Sequence, residues 1–298
     1  MSQMNDLKLK FRSFSIIEKL IVINVVVFVS FYLINTFAYL FNTSSGFLLD
    51  WFVFPKEFGS FLTKPWSIIT YAFLHSGFWH IASNMIILYF SGKYFVSYLT
   101  EKRVLTVYFL GAIFGALLYM ASYNLFPVFS EVGNSVLLGA SASVMAILIA
   151  IATYIPYMSV RLMFIGSVKF WWIAVFFVIL DIAQIPAGNA GGHIAHLGGA
   201  LFGYLYASQL KKGKDIGSWF EKFMDAVASL FKPRKKSPLK TVHKAKKSKT
   251  TTSRKTTAPK AKSPNQAEID AILDKISKSG YDSLTKQEKD FLFKAGKD

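Results

Sequence analysis

Two histidines three positions apart, His193 and His196, head an apolar, glycine-laced stretch, GGHIAHLGGALFG (191–203). An imidazole is costly to bury in such surroundings, so it points to a functional site whose partners must be sought elsewhere in the chain. HSGFWHIASN (75–84) supplies His75, then His80 and Asn84, whose spacing of four puts both on one face of a helix. GASAS (139–143) supplies Ser141 among small residues. Together these provide a hydroxyl nucleophile, an imidazole able to take its proton and N–H donors for an oxyanion, the minimum for acyl transfer. Each residue alone has a plain structural reading. A serine in an apolar helix commonly bonds its own backbone, a buried His or Asn can merely cross-link helices, and glycines serve close packing. The joint placement carries the chemical reading.

That placement depends on the elements that hold these residues. Of 298 residues 53% are apolar and 16% aromatic, and the mean hydropathy is +0.37. Several segments approach the roughly 20 apolar residues needed to cross a bilayer. Six candidate spans emerge, at about 18–41, 78–98, 104–122, 136–157, 169–186 and 193–210. Basic residues flank them unevenly. Lys8, Lys10, Arg12 and Lys19 precede or open the first; Lys102 and Arg103 follow the second; Arg161 and Lys169 follow the fourth; Lys211, Lys212 and Lys214 follow the sixth. The positive-inside rule then sets both termini in the cytoplasm. The fold class expected is therefore all-α: a polytopic membrane protein with a six-transmembrane-helix bundle and a basic cytoplasmic tail. In this topology spans two, four and six begin on the outer side, so His80, Asn84, Ser141 and His196 fall near the same depth. Gly199 and Gly203 form a small-xxx-small face on span six, and Gly139 belongs to a matching run of small residues on span four.

Four segments are expected: a cytoplasmic N-terminal stretch (1–17), the six-span domain (18–210), a basic juxtamembrane linker (211–265) and a small helical hairpin (266–298). The linker holds 17 Lys+Arg against 3 Asp+Glu, most of the chain's net +17. Its Lys, Thr, Ser and Pro content predicts disorder. Within it, 215–231 carries helix-period aromatics suited to the inner leaflet, and His243 is a solvated bystander. Beside a membrane helix, anionic lipid is the expected partner of such charge, and nucleic acid is not. In the hairpin, Gly280 should end the first helix, and Thr285 with Glu288 has capping-box spacing at the start of the second. There is no cysteine, which excludes disulfides and thiolate metal sites. The long first apolar run lacks a small-residue cleavage site and reads as a span, with no cleaved signal peptide.

HSGFWHIASN, GASA (139–142) and AHLGGALFG (195–203), in that order on spans two, four and six, resemble the rhomboid family of intramembrane serine proteases, over about residues 15–210. The resemblance implies Ser141 as nucleophile and His196 as its base, a dyad without the usual acid. His80, Asn84 and the Ser141 N–H correspond to the oxyanion site, and His75 to a structural or water-handling residue. His193 matches no family role and is expected to hydrogen-bond within the loop leading into span six. The family's substrates are transmembrane proteins that arrive sideways past spans two and five; no cofactor or metal is implied. A bacterial-type plasma (inner) membrane is the expected location. Two positions depart from the family pattern: Ala142 follows the nucleophile where many members have Gly, and Ser67 follows Trp66 where Arg is common. Two other functions compete, a catalytically silent rhomboid-like binder of membrane proteins and a metal-ion carrier using the four histidines. Retention of both Ser141 and His196 speaks against the first, and the scarcity of carboxylates other than Asp181 in the spans against the second.

Overall fold

The computed structural model describes residues 9–44, 46–162, 166–230 and 264–295. It is mostly helical and divides into two units, Met1–Arg234 and Lys235–Asp298. The expected site residues all lie in the first. Its long helices are α1 (Ile16–Leu40), α2 (Phe78–Tyr98), α3 (Glu101–Leu125), α4 (Ser141–Tyr154), α5 (Phe170–Gln184) and α6 (Ala190–Lys211). Among the described residues three segments are long and apolar enough to cross a membrane: Ile16–Leu40, Glu101–Leu125 and Phe170–Ala187, with mean hydropathies of 2.3, 2.0 and 1.9.

The core forms where α4 and α6 meet, with α3 behind them. Every residue of α4 from Ala142 to Ala152 is buried. Close approach of the backbones makes this possible. A Cβ on Gly199 would lie 2.0 Å from the Ala142 carbonyl oxygen, and one on Gly203 would lie 2.2 Å from that of Ala146. Between apolar helices in lipid, van der Waals contact of this kind is the main source of association. α1 and α5 contribute less to the core and turn many large apolar side chains outward, among them Val26, Leu33, Phe37, Trp172 and Phe176. Such surfaces suit contact with hydrocarbon.

α4 has 14 residues, a rise of about 21 Å against the roughly 30 Å of a bilayer core. It is shorter than the span of 136–157 read from the sequence, because its first residues are not helical. Val136–Leu137 instead form a strand, β2, antiparallel to β1 (Phe54–Pro55). Gly139 then takes φ +127°, open to glycine and strained for other residues, and donates its N–H to the Tyr71 carbonyl at 3.0 Å. The long loop before α2 supplies these anchors. Its short helices Gly46–Phe52, Phe58–Thr63 and Ser67–Thr70 are joined by stacked Trp51 and Trp66 rings, 5.6 Å apart, and the Trp66 indole N–H donates to the Trp51 carbonyl. Ser67 is fully buried. An arginine charge at that position would need a buried partner.

A β-hairpin, β3 (Ser159–Leu162) with β4 (Gly166–Lys169), joins α4 to α5. After α6, α7 (Ser218–Leu230) packs on the start of α3. Phe220 is buried against Phe109, Arg103 pairs with Asp215 and Lys102 with Asp225. The rest of the expected basic linker, including His243, lies outside the described residues. The second unit contains α8 (Pro264–Ser279) and α9 (Lys286–Ala295). Gly280 follows α8 with φ +78°. The Thr285 N–H donates to Glu288 while its hydroxyl accepts from the Glu288 N–H, a reciprocal cap on α9. Lys275 and this cap hold the Glu288 carboxyl down at about 2.

The α4–α6 contact yields a test. A methyl on Gly199 meets main chain that cannot swing aside, so Gly199→Ala should destabilise the domain by about 1–3 kcal/mol and lower its melting temperature in detergent. Gly133→Ala, where added atoms meet open space, should leave it unchanged. Equal melting of the two variants would refute the packing.

Candidate active site

The first turns of α2, α4 and α6 surround a cavity of about 550 Å³, lined by His80, Asn84, Ser141, His193 and His196 together with Asp181 of α5. Ser141 is the first residue of α4. Its N–H belongs to the group of helix-terminal donors that has no partner within the helix, and the positive end of the helix dipole favours negative charge there. Ser141 and His196 both line the cavity, with no hydrogen bond between them.

The His80 and His196 imidazoles are held in opposite senses. His80 Nδ1 faces Ser76, 3.0 Å from the hydroxyl and 3.4 Å from the N–H that donates to it. Acceptance there assigns the proton to Nε2, and Nε2 points at the serine loop: a Cβ on Gly139 would lie 2.8 Å from it and 3.5 Å from Ser141 Oγ. His80 thus offers a donor on the Ser141 side of the cavity. His196 Nδ1 lies 2.7 Å from Asp181 Oδ1. A carboxylate only accepts, so Nδ1 carries the proton and Nε2 keeps its lone pair. Asn84 is buried and donates one amide hydrogen to the His80 carbonyl at 2.8 Å, which orients the rest of the amide along the cavity wall.

Other expected residues sit further back. His75 is buried behind His80, ring centroids 5.1 Å apart, and its ring nitrogens have no hydrogen-bond partner. Gly139 is the floor under His80, whereas Gly199 and Gly203 act only through helix packing. Ser143, two residues past Ser141, is fully buried with its hydroxyl unpartnered, so it cannot meet a substrate from the cavity. Ala142 fills the α3–α4–α6 contact: its methyl faces Gly115 and its carbonyl Gly199.

Two sequence expectations meet a contact that they did not include. The dyad implied by the resemblance has no acid, and here Asp181 Oδ1 lies 2.7 Å from His196 Nδ1. His193 was expected to bond within the loop before span six; it lies inside α6, and its Nδ1 is 2.8 Å from the same Asp181 oxygen. Asp181 had a visible signal, an isolated carboxylate in FWWIAVFFVILDIAQ. Its partners stood on another helix, at no fixed spacing. Ser76, which fixes the His80 tautomer, gave no signal beyond its place four residues before His80.

Comparison with known proteins agrees with this architecture. Residues 62–212 match the Rhomboid domain, and residues 259–294 match a family of unknown function, DUF6576. RHOMBOID-like protein 12, mitochondrial, of Arabidopsis thaliana is 28% identical over 191 residues, 57% of each chain. Rhomboid protein 1, mitochondrial, of Saccharomyces cerevisiae is 28% identical over 188 residues, 58% of this chain and 52% of its own. Presenilin-associated rhomboid-like protein A, mitochondrial, of Danio rerio is 31% identical over 147 residues, 48% of this chain and 37% of its own. The chain thus spans about half the length, or less, of these curated relatives. It is an integral membrane protein, and with half its length matched by the Rhomboid domain, including the cavity residues from His80 to His196, it belongs to the rhomboid family.

Proposed function

We propose that the chain is an intramembrane serine endopeptidase that hydrolyses peptide bonds in or near the transmembrane segments of membrane proteins. The observation that carries the reading is the shared cavity, which Ser141 and His196 line together while His196 Nδ1 lies 2.7 Å from Asp181 Oδ1. In this mechanism Ser141 Oγ attacks the scissile carbonyl as its proton passes to His196 Nε2. Asp181 keeps the imidazole in the accepting tautomer and stabilises the cation that forms. The oxyanion is met by the Ser141 N–H, His80 Nε2–H and the Asn84 amide. His196 then protonates the departing amine, and water, deprotonated by the same nitrogen, releases the acyl group.

The proposal extends to topology and surroundings. α1 to α6 all cross the bilayer, with both termini on the side of the basic loops. α2, α4 and α6 enter from the opposite side, so the short α4 begins below the surface in a pocket open to water. Transmembrane substrates reach it between α2 and α5, where Phe177 borders the cavity. The basic stretch 211–265 attracts anionic lipid at about 1 kcal/mol per basic residue near the surface. The relatives are mitochondrial by name, which conflicts with the bacterial-type plasma membrane expected from sequence; the proposal keeps the integral membrane position alone.

Cleavage of a transmembrane substrate by purified protein tests the chemistry. Ser141→Ala and His196→Ala should each abolish it, and the double variant should be no worse. Asn84→Ala should slow it by up to ~10²–10³-fold, the scale of one oxyanion donor, and Asp181→Asn by up to ~10⁴-fold, the scale of a tautomer error. Full activity of Ser141→Ala would end the proposal. Topology is tested separately: reporters fused after residue 60 and after residue 215 should lie on opposite faces of the membrane, and the same face for both would overturn six crossings.

A further inference from the structure

One carboxylate oxygen, Asp181 Oδ1, lies within hydrogen-bond distance of both His193 Nδ1 and His196 Nδ1, at 2.8 and 2.7 Å. Catalysis requires only the second contact. The first builds a cluster of a different kind, in which one donor atom from each of the three side chains lies within 4.8 Å of the others. Asp181 is buried, while the His193 and His196 side chains are 16% and 20% exposed where they border the cavity. Two imidazoles and a carboxylate, with an open position facing solvent, are the donor set that zinc and similar borderline ions select.

We propose that Asp181, His193 and His196 form a reversible inhibitory site for a divalent transition ion, zinc above all. With zinc bonds of about 2.0–2.1 Å in tetrahedral geometry, neighbouring donor atoms stand roughly 3.3 Å apart, about half an ångström wider than the two His–Asp contacts and inside the 4.8 Å that bounds all three donor atoms. His193 and His196 sit three apart on α6, so their rings leave the same face of the helix, and Asp181 closes the set from α5. Proton balance defines the consequence. Zinc takes the Nδ1 lone pair of each ring, and each imidazole stays neutral by carrying its proton on Nε2. That is the wrong tautomer for His196, because its Nε2 can then no longer accept the Ser141 proton. The ion also draws Asp181 away from its role beside the base. Binding and catalysis become mutually exclusive with no change in the fold.

Metal binding itself does not depend on the protease reading; the inhibition does. The experiment therefore measures both on the full chain in detergent, stripped with a chelator and titrated with zinc chloride, reading bound zinc by elemental analysis after equilibrium dialysis and cleavage of a transmembrane substrate in parallel. The expected result is one specifically bound ion per chain and loss of cleavage with the same zinc dependence, restored by chelator. His193→Ala and Asp181→Asn should bind this ion at least ~10-fold more weakly, since even outer partners of a zinc site act on that scale. The cleavage that His193→Ala retains should lose its zinc sensitivity to the same degree, and His193→Gln serves if the alanine variant does not fold. His243→Ala, which removes the histidine of the basic tail, should change neither readout. Zinc affinity unaltered in the folded Asp181 and His193 variants would overturn the site. Binding as expected without loss of cleavage would overturn its inhibitory role. If the parent cleaves nothing, with zinc or without, the protease reading falls and the metal site is decided by binding alone.

Discussion

The contact on which everything else depends is the approach of α6 to α4 through Gly199 and Gly203. Side chains as small as alanine at these positions would collide with the carbonyls of Ala142 and Ala146. With glycine there, the two backbones touch, and His196, one turn before Gly199, comes to the cavity that holds Ser141 at the first turn of α4. Nothing else on α6 could make up for a wider gap, because an imidazole reaches only a few ångströms from its backbone. Packing and chemistry are therefore one constraint on this helix pair.

A second constraint acts on the serine side. The proposed chemistry needs Ser141 at the very start of a helix, where its own N–H stays free, and that start is reached by a bend. Gly139 makes the bend with a conformation costly for other residues, Tyr71 fixes it with a hydrogen bond, and the β1–β2 pair anchors the chain just before it. The absence of a side chain on Gly139 also admits the His80 ring. The floor of the site and the turn into α4 thus rest on the same glycine.

Much of this was legible in the sequence, and the part that was not has a physical reason. Local spacings report on one helix at a time: His80 with Asn84, and His196 with Gly199 and Gly203. Each was readable because helical geometry converts spacing into a shared face. Ser141 stood out only together with the histidine motifs, because a lone serine in an apolar helix commonly bonds its own backbone. Asp181 was visible as a misplaced charge, but its pairing with two histidines on α6 is a contact between helices that no interval in the chain encodes. The start of α4 escaped for a related reason: Val136 and Leu137 continue the apolar run yet are drawn into a strand by Phe54 and Pro55, some eighty residues earlier.

Labelling with a fluorophosphonate, located by mass spectrometry of the digested protein, tests the central claim most directly. The reagent reports an activated serine without requiring knowledge of a substrate. One modified residue, Ser141, is expected, with labelling lost in His196→Ala. Modification of Ser143 instead, or labelling of Ser141 that persists without His196, would contradict it.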